Sequence, residues 1–156
     1  MLMQKQLKNF KFLLLLICLM FCNNHILFSQ TKVKPLVFHG GYTFSSFKGQ
    51  KSAAIYITVI NSGEKDVKIN SISTDVAKKA EIHEIISEKD IIKMKKIDNF
   101  LVKKSDTVFF QPGGTHIMIF GLEKELIDKE TFKINIFTND SQKYSVDILI
   151  IDKKLR

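Results

Sequence analysis

From residue 35 onward, apolar residues recur at short spacing, are mostly β-branched or aromatic, and are separated by polar turn residues. Alternation with a period of two sends successive side chains to opposite faces of an extended chain, so these runs predict strands. Nine segments qualify: 35–39 (PLVFH), 53–60 (AAIYITVI), 67–73 (VKINSIS), 80–86 (AEIHEII), 91–97 (IIKMKKI), 106–111 (DTVFFQ), 115–120 (THIMIF), 131–138 (TFKINIFT) and 143–151 (KYSVDILII). No long segment has a helical period. The breaks NSGEKD, SEKD, PGG and NDSQ carry turn chemistry. Short strands at this density predict an all-β domain, with two antiparallel sheets packed as a sandwich. A chain of 156 residues has room for one such core and not for two ordinary domains.

The N-terminus breaks the pattern. Lys5, Lys8 and Lys11 precede an uncharged apolar run from Phe12 to Phe21, followed by Asn23 and Asn24. This is the basic n-region and short h-region of a secretory signal. A membrane-spanning helix needs about 20 apolar residues, roughly twice what this run supplies. Residues 1–29 are therefore expected to be a signal peptide and residues 30–156 the mature domain, with cleavage after Ser29; an uncleaved anchor is the alternative. Cys22 follows Phe21, where lipidation calls for a small residue, so no lipid is expected on it.

Both cysteines, Cys18 and Cys22, fall inside this signal, so a domain starting near residue 30 has no thiol. Disulfides, zinc–thiolate sites and cysteine nucleophiles are excluded together. Without the three early lysines the 24 basic residues fall to 21 against 16 acids, and the net charge falls from +8 to +5. The lysines are scattered among acids in EKDVK, SEKD and EKELIDKE, without the aromatic interleaving of a nucleic-acid surface, so no nucleic-acid partner is expected. No nucleophile with a nearby base and no phosphate loop is suggested, and Glu123 and Glu125 lie in a charge-mixed loop; an enzyme is not expected.

Beyond residue 30 there are only two methionines, Met94 and Met118, and three histidines, His39, His83 and His116. Segments 80–86 and 91–97 flank the turn Ser87 to Asp90, and a four-residue turn predicts a hairpin with Ile86 opposite Ile91, Glu84 opposite Lys93, His83 opposite Met94 and Glu81 opposite Lys96. Two opposite-charge pairs and two apolar pairs, Ile86 with Ile91 and Ile85 with Ile92, favour this register over a slip by one, and it places His83 and Met94 about 4.5–5.5 Å apart on one face. His116 and Met118, at i and i+2, share a face of the strand that follows the turn Pro112 to Gly114. That this strand lies beside the hairpin is an assumption, not a result of periodicity. Methionine's ordinary role is to fill gaps in a core, and His39, ahead of Gly40 and Gly41, reads as an exposed loop histidine and is not counted as a ligand.

Two thioethers and two imidazoles form a soft site, which favours a single Cu(I) over hard cations and over zinc. A blue-copper electron-transfer centre needs a thiolate that this domain lacks, so the site should hold copper without cycling it.

The order His83, ten residues, Met94, twenty-one residues, His116, one residue, Met118 resembles the H-x10-M-x21-H-x-M signature of the periplasmic copper chaperone family known as PCuAC. The stretches SAAIYITVIN, AEIHE, IIKMKKI and QPGGTHIMIFGL resemble that family too, and the likeness runs over about residues 36 to 151. The resemblance implies a cupredoxin-like (immunoglobulin-like) Greek-key β-sandwich in the periplasm. It also implies a monomer that carries one Cu(I) to a copper-accepting protein of cytochrome c oxidase assembly. Two departures matter: Glu84 stands where many members have a methionine, and the tail DKKLR has no His- and Met-rich extension, so one site is expected. A periplasmic copper buffer, and a metal-independent β-sandwich interaction module, remain as alternative readings.

Overall fold

The computed structural model describes residues 34–88 and 91–153; the predicted signal segment, with its cysteines and cleavage point, lies outside the described residues. The described residues form ten strands: β1 (Leu36–Phe44), β2 (Ser52–Asn61), β3 (Val67–Thr74), β4 (Ala77–Glu88), β5 (Ile91–Ile97), β6 (Phe100–Val102), β7 (Thr107–Phe110), β8 (His116–Leu122), β9 (Thr131–Thr138) and β10 (Lys143–Ile151). Every predicted segment is a strand. The addition is β6, whose three residues are too few to display a period.

Hydrogen bonding follows the order β5-β4-β8-β2-β1-β10-β9-β3-β6, with β7 on β2. A bridge between Ile72 of β3 and Ala80 of β4 brings the path back on itself. Strands β4, β8, β2, β1, β10, β9 and β3 thus wrap one core in a barrel-like sandwich. One pairing departs from the expected antiparallel pattern: β1 and β10 run parallel, with Tyr42 opposite Leu149. Strand periodicity carries no information on direction, so this pairing was not legible in the pattern.

The core is built from alternate residues, among them Ile55, Ile57 and Val59 of β2, Ile117 and Ile119 of β8, and Ile134 and Ile136 of β9. Each fully buried aliphatic side chain stabilises the fold by about 1.5–3 kcal/mol. Because these residues point inward, their neighbours Ala54, Tyr56, His116 and Met118 point outward. In β1 the alternation slips: the register with β2 shifts between His39 and Tyr42. Gly40 takes φ +64°, and a Cβ on Gly41 would lie 2.7 Å from Ile148 Cδ1. The extra residue of this bulge turns Tyr42 and Phe44 onto the outer face, where their rings pack against Tyr56.

Candidate metal centre

The outer face of β4, β8 and β2 gathers the candidate ligands. In the antiparallel pair of β4 and β8, His83 stands directly opposite His116 and Glu81 opposite Met118. On the other side of β8, Ala54 stands opposite Met118. The assumption that the His-x-Met strand borders the hairpin is thereby met. The two imidazole centroids are 6.2 Å apart, tilted by 47°.

His116 is 4% exposed. Tyr56 packs on one side of it, with centroids 6.5 Å apart, and His83 on the other. Its ring is oriented by the turn ahead of β8. Gln111, Pro112, Gly113 and Gly114 form a turn closed by a 3.1 Å bond from the Gly114 N–H to the Gln111 carbonyl. Pro112 presets the first central position, and Gly113 at φ +79° supplies the positive dihedral a type II turn needs at the second. The turn presents the Gly114 carbonyl to His116, whose Nδ1 lies 2.9 Å away. A carbonyl can only accept, so Nδ1 carries the proton and the neutral ring keeps a lone pair on Nε2.

His83 is arranged in the opposite sense. Its Nε2 lies 3.1 Å from Glu81 Oε2, and an ionised carboxylate can only accept, so Nε2–H donates. Its Nδ1 is buried and, among the described residues, has no hydrogen-bond partner. A buried polar atom without a partner costs roughly 1–3 kcal/mol.

Glu81 is itself gripped: Lys79 Nζ lies 2.8 Å and Lys96 Nζ 3.4 Å from Oε1. The Lys79 hydrogen bond is the largest influence on the Glu81 carboxyl; burial opposes it, and His83, the Lys79 charge and Lys96 add to it. Together they lower its pKa from an ordinary 4.5 to about 2. Glu81 was missed in the sequence, although its i, i−2 spacing from His83 already put it on the same face of β4. Met118 is half-buried, and it lines a groove of about 330 Å³ together with Phe44, Phe47, Ala54 and Tyr56.

Met94 is placed differently from expectation. The hairpin pairs Ile85 with Met94 and His83 with Lys96, a shift of two residues from the expected register, leaving two residues rather than four between the paired Glu88 and Ile91. Ile97 explains the shift. It is the apolar residue of β5 that packs on the core, and it does so opposite Ile82. The expected register would have set Lys95 there. Ile91, Ile92 and Met94 are 59%, 75% and 53% exposed, so their pairing carries little weight in fixing register. An even shift keeps every residue on its face: Met94 shares the His83 face at a diagonal position, about 7–8 Å away across the pair. His39 is exposed on β1 opposite Thr58 and is not part of the group.

Among the described residues no group of three or more His, Cys, Asp and Glu side chains could hold a metal ion.

The architecture is the cupredoxin-like β-sandwich of PCuAC domains. It matches the copper-bound PCuAC domain from PmoF2 with a TM-score of 0.66 at 13% identity, over 77% of this chain and 95% of that one. It also matches the solution structure of CuI-DR1885 from Deinococcus radiodurans, with a TM-score of 0.61 at 20% identity, over 79% of this chain and 83% of that one. By sequence, the chain belongs to the LpqE-like family, described as "Putative lipoprotein LpqE-like", which it matches over residues 28–150. The uncharacterized protein RP573 of Rickettsia prowazekii (strain Madrid E) is 32% identical over 100 residues, 64% of this chain and 55% of that protein, so the chain spans about half the length of that relative.

Proposed function

We propose that this protein is a non-enzymatic copper chaperone of the periplasm, holding one Cu(I) through His83, Met94, His116 and Met118. The observation that carries the reading is the buried, unpartnered His83 Nδ1 beside His116, with Met118 next along the same face. An ion with metal–nitrogen bonds of about 2.0–2.1 Å sits roughly 3 Å from the centre of each ring it binds. Two rings that share one ion therefore have centroids at most about 6 Å apart, and these two, at 6.2 Å, stand at that limit. Two neutral imidazoles and thioether sulfur suit Cu(I), and the two structural neighbours named above were solved with copper bound. Neutral ligands leave the ion's charge uncompensated, which favours passing it to a partner with anionic thiolates. The recipient in this reading is a copper-accepting protein of cytochrome c oxidase assembly, and the carrier is a monomer.

Titrating the purified protein with Cu(I) against a competing chelator tests the site. Wild type is expected to hold one equivalent and the His116→Ala, Met118→Ala double variant to lose it; equal binding by both would remove the proposal. Delivery is tested by deleting the gene and measuring oxidase copper at limiting copper, where a fall is expected and unchanged content would indicate a buffer. Export is part of the same reading: the mass of the secreted chain distinguishes cleavage after Ser29 from a lipid on Cys22.

A further inference from the structure

We propose that Glu81 is the positioning residue of this site, holding the His83 ring so that His83 binds the ion through Nδ1 while His116 binds it through Nε2. The inference rests on the Cu(I) reading above and adds to it which nitrogen of each ring faces the metal and what puts it there.

A histidine on a strand can present either ring nitrogen in a given direction, because a half-turn about its terminal torsion swaps the edge that carries Nδ1 for the edge that carries Nε2. Something outside the ring must choose. For His116 the choice is made by backbone: Nδ1–H is spent on the Gly114 carbonyl at 2.9 Å, leaving Nε2. For His83 it is made by a side chain. Glu81 Oε2 takes the Nε2 proton at 3.1 Å, leaving Nδ1 buried and without a partner.

Glu81 can impose this because its carboxylate is engaged on both oxygens. Its side chain is 10% exposed, and its other oxygen, Oε1, is held by Lys79 at 2.8 Å and Lys96 at 3.4 Å. Lys96 stands directly opposite His83 in the hairpin, so the grip comes from both β4 and β5. With Oε1 engaged by two ammonium groups, Oε2 is directed at the imidazole. The same engagement keeps a hard carboxylate oxygen out of a soft site, although Glu81 stands directly opposite Met118. Acceptors in this outer position orient metal-binding histidines, and their loss typically costs about 10–100-fold in affinity.

The test is nitrogen NMR on ¹⁵N-histidine-labelled protein loaded with ¹⁰⁹Ag(I), a closed-shell ion of similar softness that couples to the nitrogen it binds. In wild type the coupling is expected at His83 Nδ1 and His116 Nε2. In Glu81→Ala the His83 coupling is expected to move to Nε2 or divide between the two nitrogens, with Cu(I) affinity falling about 10–100-fold. Glu81→Gln, whose amide oxygen still accepts a hydrogen bond, should restore Nδ1 binding and most of the affinity. Coupling at His83 Nε2 in wild type overturns the proposal without need of a variant. So does a folded Glu81→Ala protein that keeps Nδ1 coupling and binds Cu(I) within twofold of wild type. Failure of wild type to bind either ion is the separate result that removes the site itself.

Discussion

Glu81 carries the largest electrostatic perturbation of the described residues, and its direction fixes how stability depends on pH. Its carboxyl is lowered from 4.5 to about 2, first by the Lys79 hydrogen bond and against the cost of burial. A group whose folded pKa is depressed favours the folded state fully above its unfolded value, and that contribution disappears as pH falls through the folded value. In the metal-free protein, wild type should therefore be more stable than Glu81→Gln above about pH 4.5, and the difference should shrink toward pH 2. Urea denaturation of both proteins across that window measures it; a difference that grows on acidification would contradict the assignment. The two methionines make a second prediction at this scale. Met118 stands in the sheet between Ala54 and Glu81, whereas Met94 is exposed on β5. Substitution by leucine keeps volume and removes sulfur. Met118→Leu should weaken Cu(I) binding by about tenfold or more, about 1.4 kcal/mol, and Met94→Leu by less. Chelator competition reads both, and the reverse order would make Met94 the principal sulfur ligand.

Strand pairing brings the candidate ligands together, and the turn ahead of β8 orients one of them. The positive φ of Gly113 is a conformation that costs an L-residue about 1–2 kcal/mol. Gly113→Ala should lower stability by about that amount. It should also displace the Gly114 carbonyl from His116 Nδ1, which the His116 ¹⁵N shifts would report. The element scale also separates what the sequence made legible from what it did not. Strands were legible because the alternation of Ile55, Ile57 and Val59, or of Ile134 and Ile136, is a local signal. The shared face of His116 and Met118 followed from the same parity. Register was not legible, because the apolar pairs used to choose it, Ile85 with Ile92 and Ile86 with Ile91, lie toward an exposed hairpin tip. The pair that decides it, Ile82 with Ile97, is recognised only once the position of the core is known. Parity survived the error, so Met94 kept its face and lost its place opposite His83. The ring-orienting groups were not legible for two reasons: Glu81 reads in the sequence as a charge partner for Lys96 and not as a neighbour of a soft site, and the Gly114 carbonyl is backbone, which no residue type signals.

At the scale of the whole molecule, the strand path closes through β3 and β4 and leaves β5 outside the ring, bonded to β4 alone. Edge strands are liable to pair with other chains, and lysines discourage it; Lys93, Lys95 and Lys96 occupy three of the seven positions of β5. Three proposed ligands therefore sit on the ring and the fourth, Met94, on its edge. Local stability in such a fold follows burial, so β5 should open at lower free energy than β2 or β9, whose inward residues are fully covered. A ligand that binds only the closed form stabilises whatever it ties down. Hydrogen exchange with and without Cu(I) should then show protection rising over residues 91–97, while the amides of β2 and β9 change little. The control is Met94→Leu, which should still load copper through the other three ligands and show no gain over β5. A gain in that variant equal to wild type would mean that copper reaches β5 through another contact, and a wild type with no gain would mean that Met94 does not bind the ion.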